Sequence, residues 1–534
     1  MQELPLRGLS RDEVDSLAKQ LSAGSAVRAT PRDDFADLLF ERTGGNPFLV
    51  RQLGRLLLEA GDPYAVPPGI RHVMSSRLAA LTPPALRLLE GASVLGREFD
   101  LAVAASVSGM DQHAALDAYD EAARHGLVEA APGTGHRFVH ALFQEAVLAA
   151  LPPGRSVRLH AAAGQQLELI GAPADLVAEH LWLARDLTGP AAVPHLVAAA
   201  ESAAAMLAYE QAEHHLRRAA ELLARSSPPD QQRELTVLLT LFTLVAATRG
   251  WGAADASALA QRARRLASTV GLRADALRLW WSLWLYFLGK GDFTTTGELA
   301  LTLAEQVPDD GVSAAAAAAH LMSFFRHLAR PGTEAQALRE LEVAAGVVEK
   351  ASATDLASYD LNVAAMVHLA RAYVAAFGGD VEGQRAAARH AVTVADADGR
   401  PSARAMARTL AAQTAALAGA PVEEVRLLVD DARQVDDHYG YAYLSEQVSI
   451  FEVWVRAHAE GVTPEDVAAL DSVVHRVVEK GVGGTEAIGL CLLGDVRTLA
   501  GDARGARQAY LEARAVPGAN GQLMVAYLDR RLQA

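Results

Sequence analysis

Beyond residue 170, apolar residues recur at helical spacing almost without interruption. Single glycines punctuate them at a near-constant interval: Gly250, Gly291, Gly332, Gly379, Gly419, Gly461 and Gly501. The intervals are 41, 41, 47, 40, 42 and 40 residues, and nine residues after each glycine stands an apolar residue: Leu259, Ala300, Leu341, Ala388, Leu428, Leu470 and Tyr510. A single helix hairpin cannot bury its own apolar face, so this period and phase predict hairpins stacked as a solenoid. The last unit shows the pattern most clearly. Leu493-Gly494 opens it, Gly501-Asp502 turns between helices, Ala506, Tyr510 and Ala513 form the stripe of the second helix, and Pro517 stops it. Small residues at Gly494, Ala506 and Ala513 let the two helices approach closely. Tyr209, Ala212, Leu216 and Ala219 repeat the second-helix half of that pattern. About eight units of about 41 residues are expected over 175–534, each longer than the roughly 34 of a tetratricopeptide repeat.

The first 165 residues are punctuated differently. Arg11 to Ala23 and Pro31 to Glu41 read as helices, and Pro47 opens a third that runs to about Ala60, where Gly61-Asp62-Pro63 ends it. Residues 1–62 form one predicted domain. Residues 63–165 form another, with helices near Pro68 to Leu81, Pro83 to Ser93, Leu101 to Ser106 and Gln112 to His125. Leu127-Val128-Glu129-Ala130 and His136-Arg137-Phe138-Val139 are predicted to pair as strands around Pro132-Gly133-Thr134-Gly135.

Five short patterns follow one another here: Leu4-Pro5-Leu6-Arg7-Gly8-Leu9-Ser10, Thr43-Gly44-Gly45-Asn46-Pro47-Phe48-Leu49-Val50, Val66-Pro67-Pro68-Gly69-Ile70-Arg71, Ala92-Ser93-Val94-Leu95-Gly96-Arg97-Glu98-Phe99, and Arg137-Phe138-Val139-His140-Ala141-Leu142-Phe143-Gln144-Glu145-Ala146-Val147. In this order they resemble the lid and winged helix of signal-transduction ATPases with numerous domains, specifically the large ATP-binding LuxR-type transcriptional regulators of actinobacteria. The resemblance makes 1–62 a helical lid, 63–165 a winged helix and 175–534 a tetratricopeptide-like sensor. In that family a phosphate-binding core precedes the lid and a helix-turn-helix usually closes the chain. G-x-x-x-x-G-K-[ST] does not occur in this sequence, the nearest approach being Gly289-Lys290-Gly291. The resemblance thus implies a fragment, or a member that has lost both ends. The expected fold class is all-α, a winged-helix module followed by a helical-repeat solenoid.

Charge narrows the choice of partners. The 534 residues carry a net charge of −15, the wrong sign for a general phosphate-backbone surface. Residues 66–160 hold 8 Arg against 9 Asp and Glu, whereas a DNA-reading wing is usually basic, so direct nucleic-acid binding is not expected. Aromatic content is 6% against 51% hydrophobic, which suits small-residue helix packing. The single Cys491 lies in the apolar run Ile488 to Leu493 and reads as a small buried hydrophobe. No signal peptide or membrane span is legible, so a cytoplasmic location is expected.

Two groups of residues could bind a ligand. Gly45, Asn46 and Pro47 form a turn that would aim a helix N-terminus at an anion. The resemblance implies that Pro47 packs on adenine and that His140 meets a nucleotide phosphate; the competing reading, a structural turn and a locally hydrogen-bonded histidine, is favoured without a phosphate-binding core. Trp280, Trp281 and Trp284 fall on both faces of one helix, and with Trp251, Phe324, Phe325, His327, Tyr441 and Tyr443 they could line a concave surface. Such a surface suits a small apolar effector or a protein partner. A pure solenoid core is the competing reading, and a homo-oligomer stays open. Asp430-Asp431 with Asp436-Asp437 reads as a solvated helix end, and neither His214-His215 nor His136 with His140 has Cys, Asp or Glu partners at zinc-site spacing. No catalytic residue, metal site or cofactor is expected. The sequence therefore reads as a non-catalytic regulatory or sensor protein. An enzyme recruited from the same scaffold to act on a hydrophobic metabolite, and DNA binding through the winged helix, are the alternatives.

Overall fold

The computed structural model describes residues 8–23, 35–43, 45–47, 49–51, 53–54, 77–131, 135–249, 253–270, 276–359, 361–439, 442–479, 483–516 and 521–533. The fold is all-α helical repeat with, among the described residues, one small sheet, and the chain forms two compact units, Met1–Ser226 and Ser227–Ala534. Among the described residues no helix is long and apolar enough to cross a membrane.

In the first unit, α1 (Arg11–Ala23) packs on α2 (Phe35–Thr43) through Val14, Ala18 and Leu39. α3 (Pro83–Leu95), α4 (Leu101–Ser108) and α5 (Gln112–Arg124) follow, each close to its expected span. Aspartates start two of them: the Asp100 carboxylate accepts from the Ala102 and Val103 amides, and Asp111 accepts from Ala114. The expected hairpin is present as β2 (Val128–Ala130) and β3 (His136–Phe138). An additional strand, β1 (Glu98–Phe99), makes the sheet three-stranded and antiparallel in the order β1-β3-β2. α6 (Ala141–Ala150) then seals a core of Leu88, Leu89, Phe99, Phe138 and Leu142. α7 (Pro153–Leu169), α8 (Ala174–Leu183), α9 (Val193–Ala205) and α10 (Tyr209–Ala224) complete the unit.

The second unit is a run of hairpins: α11 (Gln231–Arg249) with α12 (Ala254–Val270), α13 (Leu277–Gly289) with α14 (Phe293–Gln306), and α15 (Ala314–Leu328) with α16 (Glu334–Val348). It continues with α17 (Val363–Gly378) and α18 (Val381–Asp398), α19 (Pro401–Ala418) and α20 (Val422–Tyr439), α21 (Ala442–Glu460) and α22 (Pro464–Glu479), and α23 (Glu486–Leu499) and α24 (Ala503–Ala515). α25 (Gln522–Gln533) caps the run. Every periodic glycine among the described residues sits between the two helices of a hairpin at positive φ, from Gly419 at 72° to Gly461 at 92°. Only glycine reaches that conformation without strain, which is why the period is written in glycines. Several are followed by the aspartate that caps the next helix, as where Asp292 accepts from the Thr295 amide at 3.0 Å. The long interval of 47 accommodates an extra one-turn helix, Ala353–Ala357, between α16 and α17. Of the residues nine positions on, Ala300, Leu341, Ala388, Leu470 and Tyr510 are buried, and Leu259 and Leu428 are partly so.

Close packing in the last hairpin follows its small residues. A Cβ on Gly494 would lie 2.4 Å from the Tyr510 ring, whose hydroxyl donates to Asp495 at 2.6 Å. Cys491 is fully buried, and burial pushes its thiol up. At the acidic end of α20, Asp430, Asp431 and Asp437 are exposed as expected, but Asp436 is buried, accepting from Ser445 Oγ at 2.6 Å and pairing with Arg433 at 3.2 Å.

Candidate functional site

The first helices of successive hairpins in the second unit surround an apolar cavity of about 210 Å³. One wall comes from Leu285 and Leu288 on α13 and Phe324, Phe325 and Leu328 on α15. Another comes from Met366, Tyr373 and Phe377 on α17 with Met406 and Leu410 on α19. The late elements close it through Ala487 and Ile488 on α23, Val516, and Met524 on α25. No charged residue lines it among the described residues. Its polar groups are Tyr373, Gln413, Gln447 and Thr485. Gln413 is 1% exposed and its Oε1 is buried without a partner. Burial pushes the Tyr373 phenol up, so it stays neutral.

Glycines let the late elements reach the early ones. A Cβ on Gly484 would lie 2.4 Å from the Leu288 carbonyl oxygen, and one on Gly521 would lie 2.3 Å from that of Leu328. α25 is fastened by the Arg530 guanidinium donating to the Phe377 carbonyl, and by Tyr527 against the Phe377 ring at 5.7 Å. Arg531 donates to Asp495 at 3.2 Å and to the Tyr527 hydroxyl at 3.3 Å. The second unit thus curls until its last helix meets the ends of α15 and α17.

The expected aromatic surface is largely interior. Trp280, Trp281 and Trp284 are 2%, 0% and 0% exposed, because α13 is covered by α11, α14 and α15. Trp280 Nε1 donates to the Leu299 carbonyl and Trp281 Nε1 to that of Leu361, each at 3.2 Å. Trp281 stacks on Trp284 with ring centroids 5.1 Å apart. The expectation that these tryptophans line a concave surface is therefore corrected: all three are buried, and none is part of the cavity lining. Phe324 and Phe325 do line the cavity. His327 is half-buried on the same helix, is not part of the lining, and has its imidazole held low chiefly by burial. Trp251, Tyr441 and the Tyr443 side chain lie outside the described residues.

In the first unit, Gly45 takes φ 76° and its carbonyl accepts from the Leu9 amide at 2.7 Å. The Asn46 side chain accepts from the Leu49 amide at 3.3 Å, and its carbonyl accepts from Val50, so Gly45-Asn46-Pro47 starts a helix with Pro47 exposed at its first turn. Leu49 shares a core cluster with Leu142 and Phe143, placing this helix beside the one that His140 precedes. His140 is half-buried with Nδ1 unpartnered, and burial, then Arg97, hold its imidazole below the ordinary value against Glu129. Arg77 lies over the Phe143 ring at 5.7 Å. The helix that Gly45-Asn46-Pro47 starts and the helix that His140 precedes thus share one core.

Sequence reasoning missed Gln413, whose signal was a lone amide among the apolar residues of α19. It also missed Gly483-Gly484, which stands outside the glycine period, and the buried pair His160 and His180, whose Nδ1 atoms are 2.9 Å apart. Among the described residues, no three His, Cys, Asp or Glu side chains come together as a metal site would require.

No protein-family profile matches this chain, and no curated protein sequence matches it. Among solved structures, it is similar to the crystal structure of a Signal Transduction ATPase with Numerous Domains (STAND) protein with a tetratricopeptide repeat sensor from Pyrococcus horikoshii. That likeness has 13% identity and a TM-score of 0.34, covering 100% of this chain and 75% of that one.

Proposed function

We propose that this chain is a non-catalytic regulatory sensor that takes up a small apolar effector inside its helical-repeat unit. The observation that carries the reading is the cavity itself, with Phe325, Met406 and Ile488 in its walls and no charged lining residue among those described. Apolar lining with a few placed polar groups is the usual make-up of a small-molecule site. An enzyme would need an activated nucleophile, acid or base at the cavity; among the described lining residues no His, Cys, Lys, Asp or Glu stands ready to activate the Thr485 hydroxyl, and burial pushes the Tyr373 phenol up, away from acid–base use near neutral pH. A small molecule fits better than a protein partner, because the cavity lies within the curl of helices and not on an outer face.

In this reading, α3, α4, α5 and the three-stranded sheet form a winged helix, and α1 and α2 belong to a lid. The ordered motifs from Leu4 to Val147 support a relationship to ATP-binding LuxR-type regulators. The effector signal would then start in the repeats. Thermal unfolding with propylbenzene tests the reading: wild-type Tm should rise, since a ligand bound only to the folded state stabilises it. Leu410→Trp, which fills the cavity, should show no rise. Equal shifts in both proteins, or none in either, would overturn the proposal.

A further inference from the structure

We propose that the effector is a neutral molecule with an apolar body, on the order of ten non-hydrogen atoms in all, and one hydroxyl or amide N–H head group that donates to Gln413. The inference rests on the cavity reading above and names the ligand's chemistry.

Size follows from volume. A dry cavity of roughly 150 Å³ holds benzene, and this one is about 210 Å³. Neutrality follows from the lining: a buried ion needs a counter-charge, and the described walls carry no charged side chain. The head group follows from Gln413. Its Oε1 is an acceptor buried without a donor in a side chain that is 1% exposed, whereas buried polar groups are nearly always paired. A ligand O–H or N–H removes that deficit; a hydrocarbon leaves it in place. Other polar side chains of α19 have partners within the protein: Thr409 Oγ1 donates to the Ala405 carbonyl at 2.9 Å, and Thr414 accepts from Gln384 at 3.0 Å. Gln413 alone of these three lines the cavity. Its amide therefore fixes the polar end of the ligand, and Phe324, Phe325, Leu328 and Met406 receive the body.

Isothermal titration with three matched probes tests this: 4-propylphenol, propylbenzene and 4-propylbenzoate. Wild type should bind the phenol at least tenfold more tightly than the hydrocarbon and should not bind the carboxylate. Gln413→Leu, close in volume and free of the unpaired acceptor, should keep propylbenzene binding and lose the preference for the phenol. If that variant does not fold, Gln413→Met serves, and the wild-type phenol-to-hydrocarbon ratio stands as an independent readout. Equal wild-type affinities for phenol and hydrocarbon, or a Gln413→Leu protein that keeps the preference, would overturn the head-group assignment while leaving the cavity reading intact. Tightest binding by the carboxylate would overturn neutrality. If none of the three binds wild type, both proposals fall.

Discussion

Trp284 and Phe325 meet edge to face with ring centroids 5.4 Å apart, and that contact is the boundary between core and cavity. Trp284 is fully buried behind the wall, and Phe325 is in the wall. Trp284→Ala should therefore cost roughly 3 to 5 kcal/mol of stability, the usual range for a buried tryptophan. Phe325→Ala should cost less, and should weaken 4-propylphenol binding about tenfold. Denaturant unfolding and calorimetry on both variants separate the roles. Equal stability losses with unchanged binding would show that Phe325 belongs to the core.

Gly484 allows the late elements to touch α13, since a Cβ there would press on the Leu288 carbonyl, which is backbone and cannot swing aside. Gly484→Ala should lower stability by roughly 1 to 3 kcal/mol, the cost of forced overpacking, and weaken effector binding together with it. Gly332→Ala is the control. No atom lies within 4 Å of the added Cβ there, so its cost comes from φ 81° alone, and binding should survive in the folded protein. Matching effects on binding would contradict the role of Gly484 in closing the cavity.

Acid should destabilise the first unit through His160 and His180. One Nδ1 donates to the other at 2.9 Å, so the pair is stable with at most one of the two facing nitrogens protonated. Burial, and then His160, lower His180 from 6.5 to about 4, and burial lowers His160 as well. The unfolded chain thus binds more protons than the folded one between those values, so this stability is fully present above pH 6.5 and is lost as the pH falls towards 4. Denaturant midpoints at pH 7.5 and 5 should differ in wild type, and the difference should shrink in a His160→Leu, His180→Leu double variant. A wild-type midpoint independent of pH would refute this.

His140 has an unpartnered Nδ1 with Arg97 and Arg77 nearby, so the folded unit gains little from its imidazole. His140→Ala should leave stability within roughly 1 kcal/mol, as for a residue outside the core. Lacking a phosphate-cradling loop with its lysine, the chain should bind ADP no more tightly than millimolar. A micromolar dissociation constant by calorimetry would show that the cluster around His140 suffices for nucleotide. A large stability loss would make His140 a structural residue.

The hairpin architecture was legible because its signals are local. A glycine at positive φ followed by an aspartate cap specifies a turn by itself, so Gly291-Asp292, Gly379-Asp380 and Gly501-Asp502 could be read without knowing their surroundings. Strand β1 was not legible, since Glu98-Phe99 becomes a strand only by pairing with β3. The site was legible in part. Phe324 and Phe325, expected on a concave surface, line the cavity, but helical periodicity cannot tell which face of α13 meets a groove when neighbouring helices cover it on several sides. Gln413 and Gly484 depend on how far the superhelix curls, a property of the whole second unit that no single window carries.

The central claim is an effector site inside the repeats, and a crystal of this protein grown with 4-bromophenol tests it most directly. The account predicts an anomalous bromine peak between Phe325, Met406 and Ile488, with the phenol oxygen within hydrogen-bond distance of Gln413. An empty cavity, or bromine only on the outer surface of the helices, would contradict it.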